Sequence, residues 1–208
     1  SICWSSTPGR TNQPQTPPLC GNVLIKRWGM YDVLMIDPPW PYRGPPSLAK
    51  RRNWRIAKDW SYPTMPVADI FALLDSSIFP QTAPNHSVFL WSIDRALIEG
   101  EAEMVRRGYR RHTRIIWDKG SGLAPAFTLR FTHEFLTWFF KGKLQPVAAE
   151  ARGKSGTVMK AGHRQHSRKP DIAYSLVESL YPNAKRLDVF SREVRPGWDC
   201  WGNEIGKF

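Results

Sequence analysis

Tyr31-Asp-Val-Leu-Met-Ile36 running into Asp37-Pro38-Pro39-Trp40 is the stretch on which the reading of the fold turns. The apolar run has the length and continuity of a strand buried on both faces, the kind found in parallel sheets. It stops at an acid, two prolines and an aromatic that reads as exposed. Proline has no N–H and cannot extend a ladder, so the carbonyls here are expected to be free for another donor. In open α/β sheets ligands bind outside the carboxyl ends of the strands. The tetrad therefore sits where a ligand is expected, although four such residues alone also read as a Pro-rich turn.

The chemistry that these groups suit is methylation of an exocyclic amine. The N6 amine of adenine is a poor nucleophile because its lone pair is delocalised into the ring. A carboxylate and a prolyl carbonyl that accept its two hydrogens draw the lone pair out of conjugation and aim it at a sulfonium methyl group. On this reading Asp37, Pro38, Pro39 and Trp40 are the catalytic residues. Trp40 is expected to offer a flipped base a stacking surface worth roughly 1–3 kcal/mol.

The remainder of the chain fits such a site. Its 208 residues suffice for one α/β domain, and 41% hydrophobic content with ten tryptophans excludes a disordered chain. A net charge of +12 points to a polyanionic partner, most simply DNA or RNA. Cys3, Cys20 and Cys200 are too scattered for a disulfide framework or a zinc site. With no apolar run of membrane-spanning length and no signal-peptide core, a reducing cytoplasmic setting is expected, as a monomer or a homodimer, with no membrane partner. His163 and His166 lack a Cys or acidic partner at ligand spacing, so no metal is expected.

Residues 1–20 read as a flexible lead-in rich in Pro, Thr and Gln, and 21–208 as a single domain with mobile loops near 41–62 and 142–168. In the first loop Lys50, Arg51, Arg52 and Arg55 alternate with tryptophans and are candidate substrate contacts through phosphate. Arg106–Arg114 and Lys154–Lys169 form further basic clusters. Strands are expected over Ser87–Trp91, Thr113–Trp117, Phe135–Phe140 and Arg186–Phe190. Helices are expected over Asp69–Leu74, Asp94–Arg107 and Asp171–Leu180, with Gly108 closing the second. Strands alternating with helices predict an α/β, mostly parallel sheet flanked by helices.

Several ordered motifs accompany the tetrad. They are Tyr62-Pro-Thr-Met65, Phe89-Leu-Trp91, Gly108-Tyr109, Ile116-Trp117-Asp-Lys119, His133-Glu134 and Lys141-Gly142. His166-Ser-Arg-Lys-Pro170, Leu187-Asp-Val-Phe-Ser-Arg192, Gly197-Trp198 and Trp201-Gly-Asn-Glu204 complete the set. With these the chain, from about Tyr31 to Glu204, resembles the MT-A70 family of S-adenosylmethionine-dependent adenine N6-methyltransferases.

The resemblance implies a Rossmann-like methyltransferase fold with permuted motif order, and a set of roles. Asp37 would meet both the donor's amino group and the target amine. Pro38 and Pro39 would shape the base pocket, which Trp40 would line. Tyr62 and Glu134 would lie by the substrate. Lys169 would reach the methionine end of S-adenosylmethionine, Arg192 its ribose, and Asn203 and Glu204 its hydroxyl groups. No G-x-G-x-x-G is present, and the acid usual near the donor's adenine is missing, with Asn22 in its place. The implied activity is methyl transfer to adenine N6 in nucleic acid, with DNA favoured as substrate over RNA. A non-catalytic nucleic-acid-binding subunit is the alternative, and such subunits lose the acid that Asp37 retains.

Overall fold

The computed structural model describes residues 30–41, 64–120, 129, 131–162 and 168–208. Seven strands form one sheet: β1 (Tyr31–Ile36), β2 (Thr82–Ser92), β3 (Arg110–Asp118), β4 (His133–Lys141), β5 (Val158–Lys160), β6 (Arg186–Val189) and β7 (Asp199–Trp201). The helices are α1 (Val67–Leu73), α2 (Asp94–Arg106) and α3 (Asp171–Leu180). α1 runs on into a π-helical turn, Leu74–Ile78.

Strand order across the sheet is β5-β3-β4-β2-β1-β6-β7. β1 pairs in parallel with β2 on one side and with β6 on the other, so the chain departs in opposite directions from its carboxyl end. That is the topological switch point at which open α/β sheets bind ligands. β4 is the exception to the parallel pattern, being antiparallel to both β2 and β3. Its reversal carries the start of β4 to the edge at which β1, β2, β3 and β6 end.

Alternation along β1 feeds two cores, as the pleat requires. Leu34 and Ile36 join Val88, Leu90, Leu187 and Val189 under Ile70 and Phe71 of α1 and Met104 of α2. Val33 and Met35 join Phe89, Trp91, Leu136 and Trp138 under Ala173, Tyr174 and Val177 of α3. Each large apolar side chain so buried contributes about 1.5–3 kcal/mol. The central strands are therefore the rigid part on which the edge residues are mounted. α2 ends where its sequence predicts. Gly108 adopts φ +80°, its N–H bonds Val105 O at 2.9 Å, and Tyr109 N–H bonds Met104 O at 3.2 Å.

One strand, β5, was not expected from the sequence. Within the expected mobile loop 142–168, the described part to residue 162 contains β5, parallel to β3. The Ala148 N–H donates to Leu180 O at 2.9 Å, and the Trp117 indole N–H to Ala161 O at 2.8 Å. Those two bonds fasten the segment at both ends of its course.

Candidate active site

Asp37 leaves the end of β1 with its N–H bonded to Val189 O of β6 at 3.2 Å, which fixes it between the two diverging strands. Its Oδ1 lies 2.9 Å from Lys169 Nζ, at the entrance to α3. The same ammonium lies 3.1 Å from Glu134 Oε2, at the start of the reversed strand β4. Glu134 Oε1 accepts from Lys119 Nζ at 2.5 Å, just past the end of β3. Four elements thus deliver a row of alternating charges, Lys119–Glu134–Lys169–Asp37, to one edge of the sheet. The Lys169 ammonium lies 5.3 Å from the Trp91 ring centroid, whose indole floors the row.

The electrostatics of this row are one-sided. Burial by itself would raise the Glu134 carboxyl, but the Lys169 and Lys119 charges hold it down to about 2. Burial would likewise strip Lys169 of its proton, yet the Asp37 and Glu134 charges raise its pKa instead. Glu134 and Lys169 are thus each held in the charged form by the other's neighbourhood. That suits a site which must meet a charged ligand without rearranging its own protons.

Two expectations about the tetrad are corrected. The prolyl carbonyls are not free: Pro38 O accepts the Trp40 N–H at 2.8 Å and Pro39 O the Met65 N–H at 2.9 Å. Each carbonyl keeps a second lone pair for an incoming amine. Trp40 is not an exposed stacking surface either, being 6% exposed. Its indole N–H donates to Trp91 O at 2.8 Å, and its ring lies 6.5 Å from that of Phe71. The ring also covers Gly100 of α2, where any Cβ would come within 2.9 Å of Trp40 Cη2. Trp40 is the anchor that pins the tetrad into the core. The expectation of an exposed aromatic failed because the apolar pattern stops at the prolines.

Beyond Asp37 a narrow cleft opens between β1 and β6, lined by Lys169, Tyr174, Asp188, Phe190, Arg192 and Phe208 among others. Its volume of about 20 Å³ is room for one water molecule. The larger surface hollow, about 610 Å³ beside Ile98 and Val105 of α2, lies away from this edge.

Asp188, which carries no role in the sequence reading, is 2% exposed. Its Oδ2 accepts from Ser191 Oγ at 2.9 Å and from the Tyr174 hydroxyl at 3.2 Å. Burial pushes its carboxyl up to about 7, the Ser191 hydrogen bond lowers it, and the Asp37 charge raises it further. Nothing marks Asp188 in an apolar strand except that an acid stands there at all.

The remaining predicted residues divide. Arg192 is brought to the cleft and pairs with Glu204, Nε to Oε2 at 3.3 Å. Glu204 also takes Lys207 Nζ at 2.7 Å. Asn203 is exposed in the turn after β7. Asn22, Lys50, Arg51, Arg52, Arg55 and Tyr62 lie outside the described residues, as do His163 and His166. Lys119 was missed because its partner, Glu134, becomes its neighbour only through the β3–β4 register, in which Trp117 lies opposite Glu134.

Comparison with known proteins accords with this geometry. The MT-A70 family model matches residues 31–204. The type II methyltransferase M.MunI of Mycoplasma sp is 29% identical over 84% of this chain and 78% of its own length. The N6-methyladenosine RNA methyltransferase MTA1 of Cryphonectria parasitica is 26% identical over 86% of this chain. The N(6)-adenosine-methyltransferase catalytic subunit METTL3 of Homo sapiens is 27% identical over 85%. The chain spans 53% of the fungal protein and 28% of the human one. No helix among the described residues is long and apolar enough to cross a membrane. A tetrad at the switch point, a buried row of charges behind it and a match over 31–204 agree, and the chain belongs to the MT-A70 family of N6-adenine methyltransferases.

Proposed function

We propose that this chain transfers a methyl group from S-adenosylmethionine to the N6 amine of adenine in a nucleic acid, with DNA as the first substrate and RNA as the second. The observation that carries the reading is the position of Asp37. It stands at the switch point, between a cation on one side and a cleft on the other, with two prolyl carbonyls beside it.

The residues present fit the donor by chemistry. S-adenosylmethionine brings an electrophilic methyl on a sulfonium, with a zwitterionic amino-acid end and a ribose. Lys169 supplies a cation for the carboxylate and Asp37 an anion for the ammonium. Arg192 and Glu204, already paired, supply a donor and an acceptor for hydroxyl groups. The cleft, lined by Lys169, Arg168 and Phe208 among others, holds about 20 Å³ and so has to widen on loading.

Catalysis on this reading is positional. Asp37 and the free lone pair of Pro38 or Pro39 accept the two N6 hydrogens, which localises the amine lone pair and points it into the cleft. The core anchorage of Trp40 keeps that geometry fixed. A base in a duplex has to be flipped out to reach it. The net charge of +12 supports a polyanionic substrate.

DNA stands first because the type II methyltransferase is matched over 78% of its length, whereas the fungal RNA methyltransferase is matched over 53%. The test is methyl transfer from labelled S-adenosylmethionine to matched DNA and RNA oligonucleotides, single- and double-stranded. Transfer to DNA exceeding transfer to RNA is expected. No transfer to any adenine-containing strand would overturn the reading and leave a binding subunit.

A further inference from the structure

Lys119 has no part in the function just proposed, yet it makes the best-formed contact of the charged row. Its Nζ donates to Glu134 Oε1 at 2.5 Å, with the two side chains 17% and 14% exposed. The opposite oxygen, Oε2, is buried and has no aligned hydrogen-bond donor, although Lys169 Nζ stands 3.1 Å away. Glu134 is therefore held more closely by Lys119, at 2.5 Å, than by Lys169, at 3.1 Å. Lys169, in turn, lines the cleft together with Asp37, whereas Glu134 and Lys119 stand behind them.

That difference has a consequence once Lys169 meets a third carboxylate. An ammonium shared between Asp37 and Glu134 would be drawn towards the newcomer, and Glu134 would lose part of its compensation. A buried carboxylate short of a counter-ion takes up a proton. The groups facing Glu134 are Lys119 after β3, Lys169 before α3, and Asp37 beyond it at the end of β1. Its chain neighbour His133 lies opposite Asp118 in the β3–β4 ladder. Of these, Lys119 is the cation that stays when Lys169 moves.

We propose that Lys119 is a positioning residue that keeps Glu134 ionised while Lys169 turns from Asp37 to the donor's carboxylate, leaving Asp37 open to the amines. The proposal rests on the functional reading above and adds a residue and a proton balance to it.

The test is calorimetric binding of S-adenosylhomocysteine to the full chain between pH 6 and pH 8, in buffers of differing ionisation enthalpy. Relative to the unsubstituted protein, Lys119→Met should bind about tenfold more weakly at pH 8. It should recover affinity towards pH 6 and take up additional protons on binding. Lys119→Arg should restore the unsubstituted profile, and the double variant Lys119→Met/Glu134→Gln should lose the added pH dependence. Should Lys119→Met fail to fold, Lys119→Gln keeps a donor to Glu134 without the charge and should show the same dependence on pH. Unchanged affinity and unchanged proton uptake in the uncharged variants would overturn the role of Lys119 alone. Absence of binding by the unsubstituted protein would overturn the functional reading and this inference with it.

Discussion

Glu134 and Asp188 are both buried acids at the carboxyl edge of one sheet, on either side of Asp37, but their neighbours differ in kind. Glu134 sits between two ammonium groups, which hold it down to about 2. Asp188 has hydroxyl donors, Ser191 and Tyr174, and an anion, Asp37, close enough to raise it; burial carries it to about 7. Two hydroxyl hydrogen bonds and the Arg195 charge, which all lower the Asp188 carboxyl, do not offset its burial. The same residue chemistry thus yields a fixed charge at one end of the site and a group half-protonated near neutrality at the other.

The sharpest way to break the comparison is at Asp37, which pairs with Lys169 on one side and raises Asp188 on the other. Asp37→Asn should reduce methyl transfer by about 10²–10³-fold, the usual scale for removing a preorganised polar group aimed at the reacting centre. It should also lower the Asp188 carboxyl from about 7, since one of the charges that raises it is gone. Carboxyl-carbon NMR titration of the variant checks this, and an unmoved Asp188 would separate the two ends.

Next in size is Glu134→Gln, which leaves Lys119 and Lys169 with Asp37 as their remaining acid in the row. Breaking a buried pair on one side typically costs about 3–5 kcal/mol, readable as a drop in denaturant midpoint at pH 7. The sign with pH follows from the depressed pKa. Glu134 stabilises the fold fully above its ordinary value of 4.5, and that stabilisation is lost as pH falls towards 2. The gap between variant and parent should close over that range.

Asp188→Asn should behave in the opposite sense. With the folded value near 7 and the ordinary value at 3.8, Asp188 favours the fold most below about pH 4 and loses that contribution as pH rises through 7. Relative to the parent, Asp188→Asn should gain stability on the order of a few kcal/mol between pH 4 and pH 7. Equal pH dependence in the two proteins would refute the protonated state assigned to Asp188.

Smallest is the effect at Gly100. Ala at this position crowds Trp40, an overpacking of about 1–3 kcal/mol, but regains about 1 kcal/mol of helix propensity. Global stability should therefore shift little. Transfer activity should fall more than the melting temperature does, because Trp40 is what moves.

Much of this was legible before any coordinates. The run Tyr31–Ile36, the helix Asp171–Leu180 and the Gly108 stop lie where period, capping and turn chemistry place them. Strand direction was not legible, since a largely apolar run such as Phe135–Phe140, buried over Leu136–Phe139, reads the same both ways. β5 escaped notice because its three residues sit among glycines and basic residues and bury only Met159. Asp37 and Lys169 were found as separate motifs. Their joining through Glu134 to Lys119 needed the reversal of β4, and Trp40 needed the far wall of the core that α1 and α2 provide.

The indole of Trp40 is shared property, belonging at once to the Asp37–Trp40 tetrad and to the packing of α1 and α2. A site mounted this way has no separate melting point of its own. Heat should silence the enzyme and unfold the sheet in a single step, without the early, reversible loss of activity shown by enzymes whose reacting groups ride on a loosely held loop.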